Sequence, residues 1–243
     1  MPSIIRRFYT FTKISTVMKL RNTINRVKNK LKYPKVITNI EHILKNHILH
    51  KDFHRINKDG RINSLYDENM VIRILQEQYG NSYIQKPESS RNWYDVKIKA
   101  SKYWIPCNIK VSTGGTDNAL CKKALVYSLS TLPEDKIPKS MSFNKMIDLI
   151  EQNKNNNRNI LKEYYYIYVD KKDGTVMIKS LCDIQNYVSN PQNWLQINWA
   201  KEKQFTLENT NIELADLDTS YIRVRSILGD SLQKLINSSN KLL

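Results

Sequence analysis

Glycine is scarce in this chain. Six occur in 243 residues, at Gly60, Gly80, Gly114, Gly115, Gly174 and Gly229, and neither a GxGxxG fingerprint nor a Walker A loop can be assembled from them. Rossmann-type dinucleotide binding and P-loop ATPase chemistry are excluded with those motifs. No apolar run approaches the roughly 18 residues that cross a bilayer, so no membrane association through a spanning helix is expected. Cysteine is sparse too. Cys107, Cys121 and Cys182 are odd in number, lie far apart and form no CxxC, and no apolar leader precedes them. That pattern points to a reducing, intracellular compartment, the cytoplasm.

Acidic residues are missing from one region altogether. Residues 1–40 hold ten Lys and Arg and no Asp or Glu, and so carry +10 of the formal +16 that 39 basic and 23 acidic residues produce. A basic extension is therefore expected over residues 1–35. Three readings of it stand side by side: a segment that tracks a phosphate backbone and gains affinity by releasing counterions, a solvated basic helix, and a presequence-like address label. The remaining 36–243, with enough apolar residues for a core, read as a single domain whose central part spans about 64–200. His42, His47, His50 and His54 cluster within a short stretch, but their spacing fits no zinc finger and no cysteine is near, so they read as solvated helix and turn residues.

Apolar periodicity predicts helices near 36–50 and 65–79, the second capped by Ser64 after a break at Gly60 and stopped by Gly80. Strand-like runs follow at 92–99 and 103–111, then a glycine pair and a helix from Thr116 to about Leu129. Ser142–Gln152 reads as a helix and the Asn-rich 153–159 as an exposed loop. A hairpin over 163–170 and 174–179 turns at Asp173-Gly174. A short helix at 181–188, a strand at 194–199 and a closing amphipathic helix at 219–238 complete the pass. The alternation of Tyr164, Tyr165, Tyr166, Ile167, Tyr168 and Val169 reads as a buried strand and not as a base-stacking platform. The fold class is α/β or α+β, a mixed central sheet flanked by helices.

Chemistry concentrates in the two central strands. Period-two alternation puts Tyr94, Val96 and Ile98 on one face and Asp95, Lys97 and Lys99 on the other. In the next run Cys107, Ile109 and Val111 alternate with Asn108 and Lys110. If the strands pair antiparallel, Asp95, Asn108 and Lys110 meet across the sheet. A carboxylate beside a lysine suits phosphodiester hydrolysis, in which a hard divalent cation held by carboxylate and backbone oxygens activates water and the lysine holds or deprotonates it. The backbone carbonyl of Ile109, between Asn108 and Lys110, is a candidate metal ligand. The structural alternative is a cross-strand ion pair on a solvated face, worth about 0.2–1 kcal/mol.

Asp95 followed thirteen positions on by Asn108-Ile109-Lys110 resembles the motif of the PD-(D/E)xK nuclease superfamily, and within it type II restriction endonucleases. The resemblance spans about residues 64–130. It implies that Asp95 is the metal-binding acid, Lys110 the catalytic lysine, and Glu68, on the preceding helix, an additional acid. Asn108 stands where the family carries an acid, which removes one charge from the metal site. Asp117 on the following segment is a candidate for the missing carboxylate. The implied activity is Mg²⁺-dependent, sequence-specific cleavage of double-stranded DNA by a homodimer, since a two-fold enzyme matches a palindromic target. Ser112, Thr113, Gly114, Gly115 and Asn118, running into a helix N-terminus, with Lys122 and Lys123, are the candidate DNA contacts, and Lys97, Lys99, Arg223 and Arg225 further phosphate contacts. Two alternatives remain open: a non-catalytic DNA-binding protein with a degenerate site, and a repair or junction-resolving nuclease of the same superfamily.

Overall fold

Apolar residues at helical spacing bury Ile37, Ile40 and Leu44 along one side of α1 (Lys35–Ile48), and Met70, Val71, Ile74 and Leu75 along α2 (Gly60–Tyr79). The computed structural model of the protein describes residues 34–48, 60–89, 92–154, 163–208 and 217–239. Contacts group Tyr33–Leu243 apart from Met1–Lys32. The basic extension therefore lies almost wholly outside the described residues, as do His50, His54 and most of the Asn-rich loop.

After α2 the chain forms β1 (Ile84–Gln85), β2 (Val96–Ala100) and β3 (Tyr103–Ser112), an antiparallel meander. It continues through β4 (Thr116–Asn118), α3 (Lys122–Leu129) and α4 (Phe143–Gln152) to β5 (Tyr165–Asp170), which pairs parallel to β3, and β6 (Val176–Ser180). The result is a five-stranded mixed sheet of order β1-β2-β3-β5-β6. β7 (Tyr187–Asn190) and β8 (Trp194–Asn198) join β4 in a second, three-stranded sheet, followed by α5 (Trp199–Glu208) and α6 (Leu217–Ser239). The architecture is α+β, as expected. Among the described residues no helix is long and apolar enough to cross a membrane.

Alternation along the large sheet sorts its side chains into two cores. Val96, Ile98, Cys107, Ile109, Tyr165 and Ile167 pack against α1 and α2 on one face. Tyr164, Tyr166 and Tyr168 face the other way into a core completed by α3, α4, α6 and Trp199, which stacks on Tyr168 at 4.4 Å between ring centroids. The tyrosine-rich run is thus a central buried strand.

Several local expectations give way to tertiary context. Gly60 opens α2 instead of breaking the chain before it, and Ser64 sits inside the helix with its hydroxyl donating to Glu68 Oε1 at 3.0 Å. Thr116–Asn118 is a strand and the helix starts only at Lys122, because Thr116, Asp117 and Asn118 pair with Asn198, Ile197 and Gln196. The 181–188 segment is a short 3₁₀ turn, Leu181–Asp183, and then β7. Trp199 leaves its strand to begin α5, a helix the periodicity does not announce. Tyr94 turns into the core opposite to the one that takes Val96 and Ile98, so its expected shared face is not formed.

Candidate active site

β2 begins one residue after Asp95, and that position is held from two directions. The Asp95 N–H donates to the Cys107 carbonyl at 2.9 Å, and Asp95 Oδ2 accepts from the Ile109 N–H at 2.7 Å. The carboxylate thus ties the start of β2 to the middle of β3 in place of a backbone partner, with its second oxygen left for other work. Burial raises the Asp95 pKa above the ordinary carboxylate value, while the Ile109 N–H and the Lys110 ammonium pull it back.

Glu68 reaches the same place from α2. Burial, and next the charge of Asp95, push its carboxyl from the usual 4.5 up to about 7, against the Ser64 hydroxyl and Lys110, which favour the ionised form. Glu68, Asp95 and Lys110, from a helix and two strands, therefore share one electrostatic neighbourhood. Lys110 projects from the face of β3 opposite Cys107, Ile109 and Val111, and Asn108, two residues before it, shares that face. The carboxamide oxygen of Asn108 is buried with no hydrogen-bond partner.

The Glu68 shift has a measurable consequence. A native pKa above the unfolded one means that the folded chain keeps a proton the unfolded chain has released, so this stability is present below pH 4.5 and lost as pH rises toward about 7. In EDTA the urea midpoint of the wild type is expected to fall across that window more steeply than that of Glu68→Gln. Equal slopes would show that Glu68 titrates as it does in the unfolded chain.

The other sequence-derived residues fall elsewhere. Asp117 lies in the second sheet opposite Ile197, and its buried Oδ2 has no hydrogen-bond partner. Its charge is felt by Tyr168, whereas the charges acting on Glu68 are those of Asp95, Lys110 and Asp67. The Ser112–Gly115 segment leads into β4 and not straight into a helix N-terminus. Gly114 adopts φ 85, its N–H donates to Ser112 Oγ at 3.3 Å, and a Cβ there would lie 3.6 Å from Asp170 Oδ2. Asn118 accepts from the Leu120 N–H at 2.9 Å. Of the further cations, Lys97 pairs with Glu134 at 3.0 Å, Lys99 stands over Tyr83 and Trp104, Arg223 donates to the Ile184 carbonyl at 2.6 Å and Arg225 pairs with Glu151 at 2.9 Å.

Sequence reasoning passed over Trp93 and Cys121. The Trp93 carbonyl accepts from Tyr164 Oη at 2.9 Å and lies 3.7 Å from Cys121 Sγ, whose thiol feels both Asp95 and Lys110. The one local signal was the aromatic pair Trp93-Tyr94 directly before the acid.

A bound Mg²⁺ typically uses one or two carboxylates and retains several waters. Asp95 and Glu68 could supply those carboxylates, and the orphaned Asn108 oxygen could add a neutral donor of the same hard class. Among the described residues no group of three or more His, Cys, Asp and Glu converges, so the oxygen set is carboxylate-poor. No family model matches the chain, and a comparison with curated proteins finds no relative.

Proposed function

We propose that the protein is a Mg²⁺-dependent endodeoxyribonuclease that cleaves double-stranded DNA in a sequence-specific manner, resembling type II restriction endonucleases and acting inside the cell. The observation that carries this reading is the buried, unpartnered Asn108 oxygen two residues from Lys110 on one face of β3, where the charges of Asp95 and Lys110 act on Glu68 from separate segments. An ion pair on a solvated sheet face does not account for the burial of both carboxyls, which raises their pKa values, or for the orphaned amide oxygen. The order of elements is compatible with it: α2 bearing the extra acid, the antiparallel β1–β3, then β4 with the two helices α3 and α4, and β5 parallel to β3.

Asp95 and Glu68 would hold the metal, with Asn108 Oδ1 and the Ile109 carbonyl as neutral ligands. When bound, the cation would polarise the scissile phosphate and lower the pKa of a coordinated water. Lys110 would hold the attacking water or a phosphate oxygen by its ammonium, and the Ile109 N–H keeps the Asp95 carboxylate oriented. A two-fold dimer would be the active unit, for which exposed Ile222, Leu232, Leu235 and Ile236 on α6 offer an apolar surface.

Incubation of a long mixed-sequence duplex with the purified protein tests the reading. Discrete fragments with Mg²⁺ and none with EDTA are expected, whereas intact DNA under both conditions would leave only a binding protein. The carboxylate-poor site adds a second expectation. Asn108→Asp is expected to lower the Mg²⁺ concentration for half-maximal cleavage by roughly three- to tenfold, because ligand charge sets affinity for a hard cation. An unchanged requirement would place Asn108 outside the ligand set.

A further inference from the structure

A cleft of about 720 Å³ opens beside the site, lined in part by Trp93, Tyr94, Cys121, Lys122, Lys123 and Lys139. Trp93 and Tyr94 directly precede Asp95, and Cys121 Sγ lies 3.7 Å from the Trp93 carbonyl, so one wall of the cleft is the segment that runs into Asp95. Its volume lies in the roughly 300–1,000 Å³ range of small-ligand sites, which suits a single nucleotide and is too small for a paired, stacked duplex.

The walls have the matching chemistry. Lys122 is fixed by donating to the Met141 carbonyl at 2.8 Å, and the Lys123 ammonium stands 5.3 Å from the Trp93 ring centroid. Trp93 itself is braced by Tyr164, stacked at 5.7 Å, and by Tyr127 at 5.1 Å, which makes it a rigid aromatic wall. Two acids, Glu88 and Glu134, also line the cleft, but the Glu134 carboxylate is paired with Lys97 at 3.0 Å. A net positive balance remains. Cations that track phosphates beside aromatic rings are the combination that binds unpaired nucleic acid, and the Asn92 amide and the Ser140 hydroxyl line the same cleft.

We propose that this cleft receives an unpaired nucleotide of the strand on which the adjacent site acts, extruded from the duplex or already single-stranded. Its role in handling substrate rests on the nuclease reading above; its ligand class rests on the cleft alone.

The test is anisotropy of labelled octathymidylate with the full-length protein in EDTA, with a mixed-sequence duplex and dTMP as competitors. Octathymidylate is expected to bind, and Lys123→Ala with Lys139→Ala to weaken it about tenfold, with a smaller effect on duplex binding. Lys172→Ala serves as the charge control and should leave it unchanged. Trp93→Phe should retain binding and Trp93→Leu lose it. The lysine variants, outside the core, keep the test valid if Trp93→Leu fails to fold. Absence of binding, or equal weakening by the control, overturns the proposal, as does dTMP competing as well per molecule as the oligonucleotide. Metal-dependent duplex cleavage measured in parallel separates the two readings. Cleavage without octathymidylate binding removes the cleft assignment alone, and cleft binding without cleavage removes the nuclease reading while leaving the ligand.

Discussion

Asp95→Ala and Lys110→Ala are each expected to slow metal-dependent DNA cleavage by about 10²–10⁴-fold, the range in which a positioned acid–base or charge-stabilising group acts. Asp95 has a structural duty as well, since its Oδ2 accepts the Ile109 N–H that joins β2 to β3. Asp95→Asn separates the two roles. An amide oxygen can still accept that N–H, so stability should change little, while the charge that would hold the cation is gone and activity should be lost with it. Lys110→Arg should not rescue Lys110→Ala if the lysine acts as a compact point charge, because guanidinium is planar and presents a different donor geometry. Cleavage by both alanine variants at the wild-type rate would remove the assignment of this site, whatever the wild type does to DNA.

Glu202→Ala is expected to destabilise the fold by about 3–5 kcal/mol, the usual cost of removing one partner of a buried charge pair. Glu202 is fully buried on α5. Its Oε2 accepts from the Gln185 N–H at 3.0 Å, the Asn186 N–H at 2.9 Å and the Asn186 side-chain amide at 3.0 Å, and Oε1 lies 3.7 Å from the buried Lys179 ammonium. Truncation leaves an unpaired cation and two unsatisfied backbone donors where water cannot readily replace the carboxylate. Glu202→Gln keeps the accepting oxygen and should cost clearly less. Urea denaturation of the two variants provides the check, and equal small losses would mean that the segment after β6 relaxes to satisfy itself.

Local physics carried a good part of the fold. The α+β class, α1, α4, the β5–β6 hairpin with Gly174 at φ 69, and the buried tyrosine strand all follow from period and turn chemistry within a few residues. Alternation also put Asp95 and Lys110 on adjacent runs, and β2 and β3 do pair antiparallel, with the charge of Lys110 acting on Asp95. It failed where a distant segment decides. Thr116–Asn118 has the hydroxyl and carboxylate of a helix start and becomes a strand because β8, some eighty residues on, offers an edge to pair with. That pairing carries Asp117 into the second sheet, whereas packing of α2 against the large sheet brings Glu68 to Asp95. Neither α2's docking nor the burial that lifts Glu68 toward neutrality is written in local period, since both depend on which faces meet once the cores have formed. The cleft of Trp93, Lys123 and Lys139 has the same origin: its walls are far apart in the chain, and only closure of the fold sets them around one space.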